Sequence, residues 1–197
     1  MGITAASIEL LQKHSTGLKT VLELGAQNLY DKDYNDINPY ASDWYYKNGI
    51  LFYHCIDLNG ENYAEQFDLS KKYDIDERYD LVTDFGTSEH IGTDGKFNIE
   101  AIYNCWWNKH NWLNPGGIMI NENPKTGNWP KHGFNYYTEE FYKLLVTYMG
   151  YEILELGSIP AMGNTRDGWN VYCVLKKITE REFIDLNYFK KLGIKTK

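Results

Sequence analysis

The sequence predicts an α/β fold built on a mostly parallel sheet, and three observations carry that expectation. Short runs of strand formers ending in Gly or Asp alternate with segments whose apolar residues recur at three- and four-residue steps. This alternation is the pattern of parallel strands joined by crossover helices, which then cover both faces of the sheet. The last two strands are joined only by "PAMGNTRDG", too short for a crossover helix and rich in hairpin residues, so that pair is antiparallel.

Thr4 to His14 places Ile8 and Leu11 at helical spacing and stops before Ser15-Thr16-Gly17, which predicts a short first helix. "TVLELG" (Thr20 to Gly25) is a strand closed by glycine, and a helix around Ser42 to Lys47 follows it. "ILFYHCIDLNG" (Ile50 to Gly60) is a strand ending in Asp57 and a turn; "YDLVTDFG" (Tyr79 to Gly86) is another. Ile99, Ile102, Tyr103, Trp106, His110 and Leu113 share one face of a helix stopped by Pro115-Gly116-Gly117. The strand "GIMINENP" (Gly117 to Pro124) comes next. Thr138 can cap a helix carrying Phe141, Leu144, Leu145 and Tyr148, with Glu139 and Glu140 well placed in its first turn. Strands 151–159 and 169–176 form the antiparallel pair. Thr179 and Glu182 make a capping-box pattern ahead of Phe183, Leu186 and Phe189, which predicts an extra C-terminal helix over about 179–192.

With 197 residues and no internal repeat or linker, a single domain spanning 1–197 is expected. No apolar run reaches the roughly 18 residues needed to span a bilayer, so no membrane association is expected. A net charge of -7 sets the whole-protein field against phosphate backbones and makes duplex DNA an unfavourable partner. The N-terminus has no signal-peptide pattern, and Cys55, Cys105 and Cys173 are odd in number and far apart; a reducing cytoplasm is the expected location.

Ligands of such sheets sit at the carboxyl ends of the strands, so the informative residues are Glu23 to Gln27, Asp57-Leu58, Gly86 to His90 and Asn121 to Pro124. An acid ending the second long strand can accept hydrogen bonds from both hydroxyls of a ribose, and Asp57 stands there. The turn Asp-Leu-Asn-Gly alone would also call for that Asp.

In these pieces and their order the chain resembles the class I S-adenosylmethionine-dependent methyltransferases. The match is carried by "VLELG", "CIDLN", "FDLS" around Asp68, "YDLVTDFGTSEHI" and "WLNPGGIMINENP", over most of residues 18 to 176. The resemblance implies a three-layer Rossmann-like sheet of order 3-2-1-4-5-7-6, with an antiparallel C-terminal strand. It implies S-adenosylmethionine as cofactor, S-adenosylhomocysteine as product, and cofactor-binding roles for Glu23, Gly25, Ala26, Gln27, Asp57, Leu58, Asp68, Leu69, Gly86 and Thr87. Glu23-x-Gly25 would lie at the methionine end, where a missing Cβ lets backbone come close. Asp68 would contact the adenine.

Two departures stand out. Gln27 and Leu29 hold the places of two glycines and narrow the turn; the cofactor has no pyrophosphate to cradle, so the loss is tolerable. The interval from Gly25 to Asp57 is also longer than the roughly 20 residues usual for the family. The excess is an aromatic insertion (about 28–49) with Tyr30, Tyr34, Tyr40, Trp44, Tyr45 and Tyr46, read either as a lid over the crevice or as a surface loop. Its acidic neighbours Asp31, Asp33, Asp36 and Asp43 speak against nucleic-acid stacking.

"DFGTSEH" lacks the Pro-Pro-aromatic signature that amino-group methyltransferases of DNA bases share at this point. Glu89-His90 resembles a Glu-His pair often found in the family beside the sulfonium. His90 is the expected general base, with Glu89 and with His132 from "NWPKHGF" facing it across the crevice, together meeting the methyl acceptor. A metal site of Glu89, His90 and His132 is the lesser alternative, since the sequence offers three ligands without a tight His-x-x-x-His spacing. The function expected is methylation of a small molecule or glycan, at a hydroxyl oxygen or else an amine. A non-catalytic cofactor-binding regulator or scaffold is the alternative, and an RNA methyltransferase, disfavoured by charge, is the third choice.

Overall fold

The computed structural model describes residues 2–30, 40–161 and 168–195. Seven strands form one sheet in the order β3-β2-β1-β4-β5-β7-β6. They are β1 (Thr20–Leu24), β2 (Phe52–Asp57), β3 (Glu65–Gln66), β4 (Tyr79–Phe85), β5 (Leu113–Pro124), β6 (Tyr151–Pro160) and β7 (Trp169–Lys177). All neighbours from β3 to β5 are parallel, while β7 runs antiparallel between β5 and β6. The helices are α1 (Ala5–His14), α2 (Ala41–Lys47), α3 (Ile99–Asn111), α4 (Glu139–Met149) and α5 (Leu186–Phe189).

Each face of the sheet has its own apolar layer. Alternate residues of β1 divide between them: Leu22 and Leu24 pack with Ile102 and Trp106 of α3 and Phe141 of α4, whereas Val21 packs with Ile8 and Leu11 of α1 and Trp44 of α2. Trp44 and Tyr45 of the aromatic insertion are therefore core residues, almost fully buried. Residues 31–39 of the insertion lie outside the described residues, and with them most of the expected lid.

The ends of several elements differ from expectation for local reasons. α3 stops at Asn111, and Pro115-Gly116-Gly117 lies in an irregular opening of β5, where pairing jumps from Tyr79–Leu113 to Leu81–Ile118 and Gly116 takes φ 79°. β3 is only two residues long, too short to show a period in sequence. The C-terminal helix begins at Leu186 rather than near 179, because Asp185 accepts hydrogen bonds from the Asn187 and Tyr188 N–H groups and caps it there. Thr179 Oγ1 makes no capping bond and is buried without a partner. Thr138 caps α4 as expected; Thr4 and Ser7 form a reciprocal cap on α1, and α4 ends on left-handed Gly150.

β6 is the long edge strand. Its pairing to β7 skips Leu154, and Lys13 and His14 of α1 reach Glu155 at 2.6 and 3.0 Å. The three cysteines are free and buried, and no described helix is long and apolar enough to cross a membrane.

Candidate active site

The carboxyl ends of β1, β2 and β4 lie side by side, and a cavity of about 300 Å³ opens over them. Its walls include Gly25, Ala26 and Gln27 after β1, Asp57 and Leu58 after β2, Asp68 and Leu69 beyond β3, and Gly86, Thr87 and His90 after β4. Nine of the ten residues expected at a cofactor are thus gathered in one place. Phe67 and Ile91, which sequence reasoning did not single out, add apolar walls. Their signal was adjacency, since each neighbours a residue that was chosen.

Glu23 is the exception. Strand alternation turns it to the opposite side of β1, where it is fully buried and accepts from Tyr53 Oη at 2.7 Å and from the Gln27 N–H at 3.4 Å. Burial pushes its carboxyl up to about 8, against smaller opposing hydrogen bonds from Tyr53, Gln27 and Tyr45. The folded chain therefore keeps this proton up to about pH 8, while the unfolded chain releases it near 4.5. Over that window the folded state binds the extra proton, so the contribution of Glu23 to stability falls as pH rises. The unfolding free energy from urea titrations should decline between pH 5 and 8 by up to about 1.4 kcal/mol per pH unit from this group. Glu23→Gln should flatten that decline; an unchanged slope would assign it elsewhere.

Gly25 holds φ 78°, and a Cβ there would stand 2.2 Å from Thr87 Oγ1 and 2.7 Å from Gln27 Nε2. Thr87 Oγ1 donates to the Leu24 carbonyl at 2.7 Å, and Gln27 Nε2 donates to the same carbonyl and to Thr87 Oγ1, both at 3.2 Å. The Gln27 amide thus bridges the loops after β1 and β4, which explains how a long side chain fits where the family has glycine. Gln27 Oε1 is left buried without a donor. Leu29 does not narrow the turn: it is buried against the α1 side of the sheet and pairs with Ile3.

Asp57 Oδ2 accepts from the Ala26 N–H and Oδ1 from the Asn59 N–H, each at 3.0 Å. It is a turn residue and also ties the glycine turn to β2, and each oxygen keeps a further acceptor position. The Asp68 carboxylate is engaged with Ser70 and Lys71. Burial would raise its pKa, but the bonds from Ser70 and Lys71 outweigh that and hold it low.

The loop after β4 is set from below by a buried ion pair. Asp84 and Lys109 are both fully buried; Lys109 Nζ donates to Asp84 Oδ2 at 2.8 Å and to Asn121 Oδ1, and lies 3.7 Å over the Trp106 ring. Asp84 Oδ1 accepts from the N–H groups of Thr87 and Ser88, both at 3.1 Å. Burial opposes the Asp84 charge, but Lys109 and these donors keep its pKa below the usual value.

Glu89, His90 and His132 come together at the edge of the cavity. Glu89 Oε1 lies 3.7 Å from His90 Nε2 and 3.6 Å from His132 Nε2, while Oε2 accepts from Asn123 Nδ2 at 3.1 Å. Glu89 is fully buried, and the His90 side chain is 44% exposed. Burial lowers the His90 pKa, with a smaller raising effect from Glu89, so its imidazole is neutral near pH 7.

No family model matches the chain, and no curated protein does. Solved structures do. One is the Burkholderia thailandensis 1,6-didemethyltoxoflavin-N1-methyltransferase with bound 1,6-didemethyltoxoflavin and S-adenosylhomocysteine, 14% identical, with TM-score 0.60 over 89% of this chain and 78% of that one. A second is a SAM-dependent methyltransferase from Methanosarcina mazei, 11% identical, TM-score 0.59, covering 91% of this chain and 100% of that one. A third is the N-methyltransferase NodS from Bradyrhizobium japonicum, 13% identical, TM-score 0.56, covering 87% and 93%. With its strand order and antiparallel β7, the chain has the Rossmann-like fold of the class I S-adenosylmethionine-dependent methyltransferases.

Proposed function

We propose that this protein is an S-adenosylmethionine-dependent methyltransferase acting on a small molecule or glycan, at a hydroxyl oxygen. The observation that carries the reading is the cavity over β1, β2 and β4, which gathers nine expected donor-binding residues and abuts Glu89, His90 and His132. The residues present suit the donor. Asp57 offers free acceptor positions for ribose hydroxyls, and Phe67 and Leu69 give apolar walls for a planar base. When bound, the donor supplies an electrophilic methyl group on a sulfonium. What remains for the protein is largely alignment and the handling of one proton, since the leaving group is already provided. His90 stands where the donor cavity meets the three-residue cluster, which suits that cluster to receive the acceptor.

Two of the similar structures are named as N-methyltransferases, so an amine is the second choice of acceptor. The expectation of a cytoplasmic protein that binds neither duplex DNA nor membranes belongs to the same proposal.

Calorimetric titration with S-adenosylmethionine and S-adenosylhomocysteine tests the reading: saturable one-to-one binding of both is expected, and binding of neither would remove it. Asp57→Ala, checked for an intact fold by circular dichroism, should weaken both by about 1–3 kcal/mol, the cost of leaving hydroxyls unpaired. Unchanged affinity would reduce Asp57 to its turn.

A further inference from the structure

The Glu89, His90 and His132 cluster has features that proton transfer alone does not require. Among the described residues, Glu89 Oε1 is a carboxylate oxygen with no hydrogen-bond donor in a fully buried side chain, and His132 Nε2 is likewise buried without a partner. The two orphans lie 3.6 Å apart. One ligand atom from each of the three residues lies within 4.8 Å of the other two. Two ligands each about 2.1 Å from a shared ion at a tetrahedral angle stand about 3.4 Å apart. Glu89 Oε1 is 3.6 and 3.7 Å from the two imidazole nitrogens, too far for hydrogen bonds and near that spacing.

The surroundings hold this arrangement in place. Asn123 Nδ2 fixes the other Glu89 oxygen, as an outer partner orients a metal-bound carboxylate. The segment carrying His132 is clamped onto Glu89: the Phe134 and Asn135 N–H groups donate to the Glu89 carbonyl at 2.8 and 3.2 Å. A Cβ on Gly133 would come within 2.8 Å of that carbonyl oxygen and 2.9 Å of Glu89 Cγ. Tyr136 Oη accepts from the His132 and Gly133 N–H groups and donates to the Trp129 carbonyl. Trp129 and Lys131, flanking the histidine, both adopt positive φ, at 50° and 65°. Such strain persists where surrounding contacts over-determine the backbone.

We propose that Glu89 Oε1, His90 Nε2 and His132 Nε2 are the ligands of a divalent transition-metal ion, with its remaining positions open on the exposed side of His90. Two imidazoles and one carboxylate favour an ion of the zinc, manganese or cobalt class over Mg²⁺, which prefers oxygen ligands. The open positions suit an acceptor oxygen, whose proton a bound cation makes easier to remove. Sequence order alone favours a lone general base; the neighbouring orphan atoms favour the ion. The site itself does not depend on methyl transfer.

The test uses the full chain, stripped by chelator and dialysed, with Co²⁺ as the probe. One equivalent should bind, give the visible absorption of a low-coordinate Co²⁺ centre and raise the melting temperature. His132→Ala and Glu89→Gln should each lose at least about tenfold in affinity and the melting shift, and Asn123→Ala about 10–100-fold. If Glu89→Gln does not fold, His132→Ala, on a less buried side chain, decides. Absent binding, or equal binding to wild type and His132→Ala, would overturn the site. S-adenosylhomocysteine titration of the same stripped protein separates the readings: donor binding without Co²⁺ binding removes the ion alone, and the converse removes the methyl donor alone.

Discussion

Lys109→Met should destabilise the fold by about 3–5 kcal/mol, read as a lowered urea midpoint with little change in slope. The methionine fills nearly the same volume, so the loss is electrostatic. Asp84 would stay fully buried with its cation removed, and Asn121 Oδ1 would lose its donor as well. The double variant Asp84→Asn with Lys109→Met should recover much of the loss, because no uncompensated charge remains. A double variant as unstable as the single would mean that packing over Trp106, rather than charge, is at stake. The pair also has a functional side: Asp84 Oδ1 holds the Thr87 and Ser88 N–H groups, so Lys109 supports the cavity wall from beneath without touching it.

His90→Ala should lower turnover by about 10²–10⁴-fold, with S-adenosylhomocysteine affinity changed only a few-fold. The proposed donor contacts come mainly from Gly25, Gln27, Asp57 and Phe67, whereas His90 lines the same cavity next to Glu89 and His132, where the acceptor is proposed to sit. Single-turnover methylation of an acceptor found in a panel of hydroxylated compounds would measure this. Loss of turnover in His90→Ala that chelation of the wild type reproduces, and added ion reverses, fits the cation ligand; loss that chelation does not reproduce fits the general base. Full activity in His90→Ala would leave alignment of donor and acceptor as the remaining source of catalysis.

The alternation of strands and helices and the final antiparallel pair were legible because each rests on a local signal: glycine or aspartate at strand ends, helical spacing between them, and one loop too short for a crossover; the order of the strands across the sheet came only from the family resemblance. What escaped has two physical causes, a pairing between distant segments and a competition between neighbouring caps. β3 exists only because two residues find β2, and the C-terminal helix is shortened by an aspartate that outcompetes a plausible earlier cap. At the site, residue types were readable but side-chain direction was misassigned once: Glu23 sits one pleat from the cavity it was expected to line. Glu89, His90 and His132 could be named as candidates from their positions after strands. Asn123 lay in a strand end already singled out, but its hold on Glu89, like the supports from Gly133 and Tyr136, became visible only in the folded contacts.

The edge strand β6 bears on whether a strand from another chain can add to this sheet. A ten-residue open edge offers unpaired backbone groups to any passing strand, a template for intermolecular sheet growth. Here the template is spoiled along its length. The skipped Leu154 breaks the regular spacing of donors and acceptors, and Pro160 ends the strand without an N–H. Between them Glu155 is held ionised by Lys13 and His14, its carboxyl drawn down to about 2. An invading strand would have to bury that charge or prise it from α1, so the first helix of the chain also serves as a guard on the last open edge of the sheet.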